Sequence, residues 1–156
     1  MVRIDDRLIH GQVIAVWCKH RRFTRIVIVD DGVAADSFMQ EVLRLAAPPG
    51  LEVDVLSIQE GISALGENAS NRGTTMVLMK SPQTAQQLYD GGLAYSALNI
   101  GGIGSGPGRK NIFKNIAVSK EEIVILKYLL DQGVEITLLT VPGEKSKAFS
   151  DLAGKL

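Results

Sequence analysis

Apolar and polar positions along this chain switch repeatedly between two periods. Residues 25–30, "RIVIVD", form a continuous β-branched run of the kind a strand covered on both faces carries. Similar short runs recur in Val2-Arg3-Ile4, "LEVDVLS" (51–57), "TTMVLMK" (74–80), "SALNIGG" (96–102), "IFKNIAV" (112–118) and "VEITLLTV" (134–141). Between them the pattern turns helical. Residues 11–20 place Val13, Ile14, Trp17 and Cys18 on one stripe. "DSFMQEVLRLAAPPG" (36–50) reads as a helix with Asp36 as N-cap and a Pro-Pro-Gly stop. Residues 58–70 read as a weaker helix. Ser81-Pro82 is a cap followed by proline at the first helical position. Ser119 with Glu122 is a capping box for a helix through Asp131, which Gly133 stops. The tail is polar.

This rhythm predicts an α/β fold. It is an open, doubly wound, mostly parallel sheet of about seven strands, with helices on both faces and right-handed crossovers. The strand near 112–118 follows its predecessor with no helix between, so it is expected to be antiparallel at an edge. There is no internal repeat, and residues 1–156 are expected to form a single domain.

Ligands in open α/β sheets bind beyond the carboxyl ends of the strands. Residues 5–11 are the first loop on that rim; 30–32, 57–60, 80–82 and 100–109 are the others. The first loop lies in "RIDDRLIHGQV" (3–13), which is dense in charge. His10 stands just before a helix, whose first free amides, from Gly11 and Gln12 onward, favour an anion beside the ring. Arg7 can grip a phosphate or carboxylate with two donors. These are the parts of a phosphohistidine site: a neutral ring nitrogen as nucleophile and a cradle for the arriving charge. A histidine that only caps the helix explains His10 equally well on residue chemistry alone. Asp5 and Asp6 would ordinarily cap or solvate. Strand alternation puts Asp5 on the side of Arg7, where it could hold Arg7 or fix the His10 tautomer.

Elsewhere on the rim, "NIGGIGSGPGRK" (99–110) contains neither nucleotide-binding glycine pattern and no helix follows it directly. It reads as a tight loop with several glycines at positive φ, in which Gly101 and Gly102 could admit a phosphate close to the backbone. Arg109 and Lys110 are either solvated or facing an acidic group. Ser81 is first a cap, with a phosphate contact as its lesser reading. "KHRRFTR" (19–25) reads as a solvated helix end, and Trp17 and Cys18 as core.

Composition narrows the classes. Lys+Arg and Asp+Glu balance at 17 each, which argues against a nucleic-acid binder. No apolar run approaches a membrane span, and no signal-peptide pattern is present. One cysteine rules out an internal disulfide and suits a reducing cytoplasm. No metal-ligand spacing is present.

"RIDDRLIHGQV" resembles the active-site segment of the enzyme IIB component of bacterial sugar phosphotransferase systems, in the mannose/fructose/sorbose class. "AAPPG" (46–50), "KSP" (80–82), "LNIGG" (98–102), "VSKEEI" (118–123) and "GVEITLLTVP" (133–142) fit the same family in the expected order. Two departures stand out. The chain starts almost at its first strand, and Glu122 stands where the family often has Asp. The resemblance implies that His10 is phosphorylated on Nδ1, with Arg7 and the loop backbone holding the phosphoryl group and Asp5 as support. It implies a phospho-IIA protein or domain as donor, a sugar presented by the membrane IIC/IID permease as acceptor, and no metal or cofactor. It also implies a cytoplasmic protein that meets the inner face of the membrane through that permease. A homodimer is compatible with it. The competing class is a non-catalytic regulatory domain that binds phosphate or a nucleotide at the same rim.

Overall fold

The computed structural model describes residues 1–68 and 74–156. Seven strands form one sheet. In chain order they are β1 (Val2–Asp5), β2 (Arg25–Val29), β3 (Glu52–Leu56), β4 (Thr75–Met79), β5 (Ala97–Gly102) and, after a separate hairpin of β6 (Lys110–Phe113) and β7 (Ile116–Val118), β8 (Glu135–Leu138) and β9 (Lys147–Ala148). The order across the sheet is β3-β2-β4-β1-β5-β8-β9, and every pair is parallel except β8 with β9. β1 is therefore central, and the chain crosses it in passing from β4 to β5.

Alternation along the strands separates two cores. Val27, Val29, Val77 and Met79 pack with Leu88, Leu126 and Leu129 on one face. Leu88 lies on α5 (Pro82–Asp90) and Leu126 and Leu129 on α6 (Lys120–Asp131), while α4 (Ile58–Asn68) adds Leu65 and α7 (Ser150–Ala153) adds Leu152 to the same core. Ile26, Ile28, Met76 and Leu78 pack on the other with Val13, Trp17, Val33 and Leu43. Those belong to α1, which is π-helical over Val13–Cys18 and α-helical over Lys19–Arg21, to α2 (Asp31–Ala34) and to α3 (Ser37–Leu45). Helices thus cover both faces, as the pattern requires. The sequence-expected helix over 58–70 is present through Asn68; residues 69–70 lie outside the described residues.

The caps read from the sequence are in place. Asp36 accepts from the Met39 amide, Ser81 from that of Thr84, and Ser119 and Glu122 form a reciprocal box. Gly133 takes φ +88°. Two assignments move. Residues 112–118 are not an edge strand of the sheet. Phe113 faces Ile116 across a two-residue turn at Lys114-Asn115, Lys114 takes φ +43°, and the segment folds into the β6–β7 hairpin. The antiparallel edge strand is β9, from the polar tail. The chain reverses after β8 through Val141-Pro142-Gly143, with Gly143 at φ +88°, and pairs Ala148 with Thr137. α2 has no counterpart in the sequence reading; Asp30 caps it by accepting from the Val33 amide.

Candidate functional site

β1 runs to the rim and stops at Asp5. Its register with β5 shifts there, pairing Asp5 with Gly102. The loop then turns sharply. Leu8 donates its amide to the Asp5 carbonyl at 2.9 Å and takes φ +55°, a conformation that is costly for a side-chain-bearing residue. Burial of Leu8 and Ile9 in the α1-side core opposes that cost. Helical hydrogen bonding begins at the histidine, whose carbonyl accepts from the Ile14 amide at 3.0 Å. The first-turn amides after His10 have no partner within the helix.

Asp5 is the centre of the arrangement. It is fully buried, and three cations or potential cations address it. Arg3 donates to Oδ2 at 2.9 Å, and Arg7 Nε lies 3.4 Å from Oδ1. His10 Nε2 stands 3.1 Å from Oδ2, close but not aligned as a hydrogen bond, and has no other partner among the described residues. Nε2 is thus turned inward to the carboxylate, and Nδ1 is the ring nitrogen left uncommitted. The His10 side chain keeps 16% of its surface exposed, so the ring is reachable at the rim. Arg7 is half exposed, and its far end also donates to Gln12 Oε1 at 3.2 Å. Gly11 and Gln12 are exposed beside it, and a Cβ at Gly11 would meet nothing within 4 Å.

The glycine-rich loop packs against the same centre. Asp6 accepts from the Gly104 amide at 2.7 Å, which ties the two loops together. Of the two readings for Arg109, the one that faces an acidic group is found. Its side chain forks onto buried Glu122, with contacts of 2.6 and 3.0 Å, and donates to the Gly104 carbonyl at 3.2 Å. That bond holds the guanidinium charged and raises its pKa. Glu122 is therefore more than a cap: it anchors the loop. The expectation of positive φ at several glycines does not hold. Of Gly101, Gly102, Gly104, Gly106 and Gly108, only Gly108 lies there, at φ +73°, because Gly101 and Gly102 continue β5 and need no turn geometry. A Cβ on Gly102 would lie 3.4 Å from Asp5 Oδ1 and 3.6 Å from the Arg7 guanidinium, so Gly102 lines the site. Gly101 makes room for Arg3: a Cβ there would fall 1.8 Å from an Arg3 nitrogen. The Ser81 hydroxyl is engaged with Thr84, and Lys80 pairs with Asp30 at 3.4 Å.

The sequence places Arg3 in a short opening strand and carries no direct sign of its role at the site. Arg3 is fully buried, donates to the Asn99 side chain and to the Leu139 and Thr140 carbonyls at 3.1 and 3.0 Å, and stacks 4.9 Å from the Trp17 ring centre. Burial lowers its pKa, while Asp5 works in the opposite direction. The available signal was a charged residue flanked by apolar ones in a strand that the fold must cover on both faces.

A family model described as PTS system sorbose subfamily IIB component matches residues 1–156. The chain belongs to that family. It is accordingly a phosphotransferase component of a sugar-transporting phosphotransferase system, which sets aside the regulatory-domain alternative. The chain is 34% identical over 151 residues to the sorbose-specific EIIB component of Klebsiella pneumoniae, covering 97% of this chain and 92% of that one. It is 31% identical to the mannose-specific EIIAB component of Escherichia coli K12 over its whole length, which spans 48% of that relative. Among solved structures, the IIBSor domain of the Klebsiella pneumoniae sorbose permease superposes with a TM-score of 0.91 at 33% identity, over 99% of this chain and 95% of that one. ManxB from Thermoanaerobacter tengcongensis gives 0.90 at 35% identity, over 99% and 94%. Among the described residues of this IIB component no helix is long and apolar enough to cross a membrane.

Proposed function

We propose that this IIB component carries a phosphoryl group on His10 Nδ1, taking it from a phosphohistidine of a IIA protein or domain and passing it to a sugar at the IIC/IID permease. The observation that carries the reading is the orientation of the ring, with Nε2 at 3.1 Å from the buried Asp5 carboxylate. A neutral imidazole with Nε2 turned to a carboxylate favours its proton on Nε2 and its lone pair on Nδ1. The Nδ1 lone pair attacks phosphorus, the new N–P bond forms in line, and the old N–P bond breaks with its electron pair returning to the donor histidine. Asp5 offsets the positive charge the ring acquires. Arg7 and the first amides of α1, from Gly11 and Gln12, balance the phosphoryl oxygens, with Gly102 at their side. Gly101 and Ser81 stand further back, as support for the floor and for a neighbouring loop. In the second step a sugar hydroxyl oxygen attacks phosphorus, gives its proton to solvent or a permease base, and the electron pair returns to Nδ1. Transfer between two histidines needs placement and charge stabilisation, and no nucleotide or metal enters it.

The same proposal places residues 1–156 as one phosphocarrier domain, in the cytoplasm, reaching the inner membrane face only through the permease. Association as a homodimer belongs to it too, and light scattering on the purified chain decides that part. The functional test is to incubate the protein with a phosphorylated IIA of the sorbose or mannose class. Acid-labile, alkali-stable phosphate on the chain is expected. Acid-stable phosphate, or none, overturns the reading.

A further inference from the structure

Beneath the candidate histidine lies a second layer that the transfer chemistry above does not use. Arg3 and Asp5 project from β1 to the α1 face, while Val2 and Ile4 point to the apolar core on the opposite face. Arg3 is enclosed. Asn99 faces it across the β1–β5 register, Leu139 and Thr140 supply carbonyls beyond the end of β8, and Trp17 covers its face while donating its own Nε1–H to Thr140 at 2.8 Å. Gly101 leaves the space its guanidinium fills.

We infer that Arg3 is a positioning residue for phosphoryl transfer: from the buried floor it fixes the Asp5 carboxylate against His10 Nε2, so that the ring offers Nδ1 at the rim. Two physical points carry this. First, a buried arginine is a poor way to stabilise a sheet, since apolar residues of similar volume are commonly as stable or better. Here the burial is also incomplete in its compensation, because Arg3 Nε has no partner among the described residues. What the charge achieves is local: one terminal nitrogen sits 2.9 Å from the same Asp5 oxygen that His10 approaches. Second, Arg3 pins in place the one Asp5 oxygen that faces His10 Nε2, which favours the Nε2–H tautomer and steadies the ring once phosphorylated. Arg7, half exposed at the mouth, is free to follow the phosphoryl group. The two arginines thus divide the work between floor and mouth.

This inference rests on the proposed role of His10, and the test separates the two. Protein labelled with 15N-histidine is prepared as wild type, Arg3→Lys and Asn99→Ala, each with and without Asp5→Asn. Two quantities are read: the ring-nitrogen shifts of His10 against pH, and the initial rate of phosphorylation by phosphoramidate, a small donor that needs no partner surface. Wild type should hold its proton on Nε2. Arg3→Lys should slow phosphorylation about 10- to 100-fold, the range typical when an outer partner of a functional histidine is lost, and should displace the His10 titration. Asn99→Ala should move both readouts in the same direction by less. In the Asp5→Asn background neither substitution should have a further effect, because Arg3 acts through Asp5. A folded Arg3→Lys with wild-type rate and titration overturns the inference, as does an equal loss in the Asp5→Asn background. If Arg3→Lys fails to fold, an unchanged His10 titration in Asn99→Ala overturns it. A wild-type protein that gains no phosphate on His10 removes the proposed function, while the tautomer and titration data still decide the role of Arg3.

Discussion

Gly101→Ala should unseat the floor of the site. An added Cβ would lie 1.8 Å from one terminal nitrogen of Arg3, 2.0 Å from its Cζ and 2.4 Å from the other nitrogen. Ordinary contact between such atoms is about 3.5 Å, so the guanidinium must retreat by roughly 1.5–2 Å. Its bonds to Asp5, Leu139 and Thr140 are 2.9–3.1 Å long, and none survives a displacement of that size. The guanidinium cannot slip sideways into solvent, because it is fully buried beneath Trp17. The cost is that of breaking a buried ion pair, about 3–5 kcal/mol. Against a typical domain stability of about 5–15 kcal/mol this is severe but measurable. Gly102→Ala is the control. Its nearest neighbour is the Asn115 side-chain nitrogen at 3.0 Å, the far end of a side chain that can give way. We expect a loss of about 1 kcal/mol or less there. Urea unfolding followed by circular dichroism should show the Gly101→Ala midpoint lowered by about 1.5–2.5 M for an m-value near 2 kcal/mol/M, with m unchanged. A Gly101→Ala protein within about 1 kcal/mol of wild type, or no worse than Gly102→Ala, refutes the placement of Arg3.

Three further outcomes follow from single contacts. Arg7→Lys should unfold within about 0.5 kcal/mol of wild type, since the side chain is half exposed, yet take phosphate from phospho-IIA at least about tenfold more slowly, because a point charge replaces a planar fork; wild-type transfer rates would remove Arg7 from the site. Tyr95 donates to the Ala85 carbonyl at 2.8 Å, and burial raises its pKa, helped by Tyr89 and Asp90. A group raised in the folded state stabilises fully below its unfolded value, near 10, and loses that contribution as pH rises; Tyr95→Phe should therefore lose less stability than wild type between about pH 8 and about pH 11 in urea melts, and equal losses would contradict the shift. Burial likewise raises the Cys18 thiol, so iodoacetamide should alkylate the native protein more slowly than the urea-unfolded chain at the same pH; equal rates would contradict it.

What could be read from the chain depended on whether the signal was local. Ser81, Ser119 with Glu122, Asp36 and Gly133 act within one helical turn, and each does what its neighbours in sequence implied. The β2 run announced a strand covered on both faces, and the covering is seen in its split between two cores. Strand alternation was enough to bring Asp5 toward Arg7, two residues away. Arg3 was not legible, because what makes it buried comes from afar: Asn99 lies 96 residues on and Leu139 136 residues on. Glu122 shows both cases in one residue. Its cap was visible, while its fork onto Arg109 needed the loop and α6 to be brought together. The hairpin at 110–118 was missed because Lys114-Asn115 is a weak turn signal beside Asn-Gly or Asp-Gly. β9 carries only two residues and no apolar pattern.

The most direct measurement on the central claim compares phosphate incorporation into His10→Gln and His20→Gln proteins from phospho-IIA. These are the only histidines in the chain. His20 is exposed in the last turn of α1 between Lys19 and Arg21, at a helix C-terminus whose dipole disfavours an anion. His10 has the opposite end of that helix, with Arg7 and the Asp5 carboxylate beside it. Both variants should fold, as thermal melts and circular dichroism will report. His20→Gln should be labelled as fully as wild type and His10→Gln not at all. Label on a folded His10→Gln protein would contradict the account.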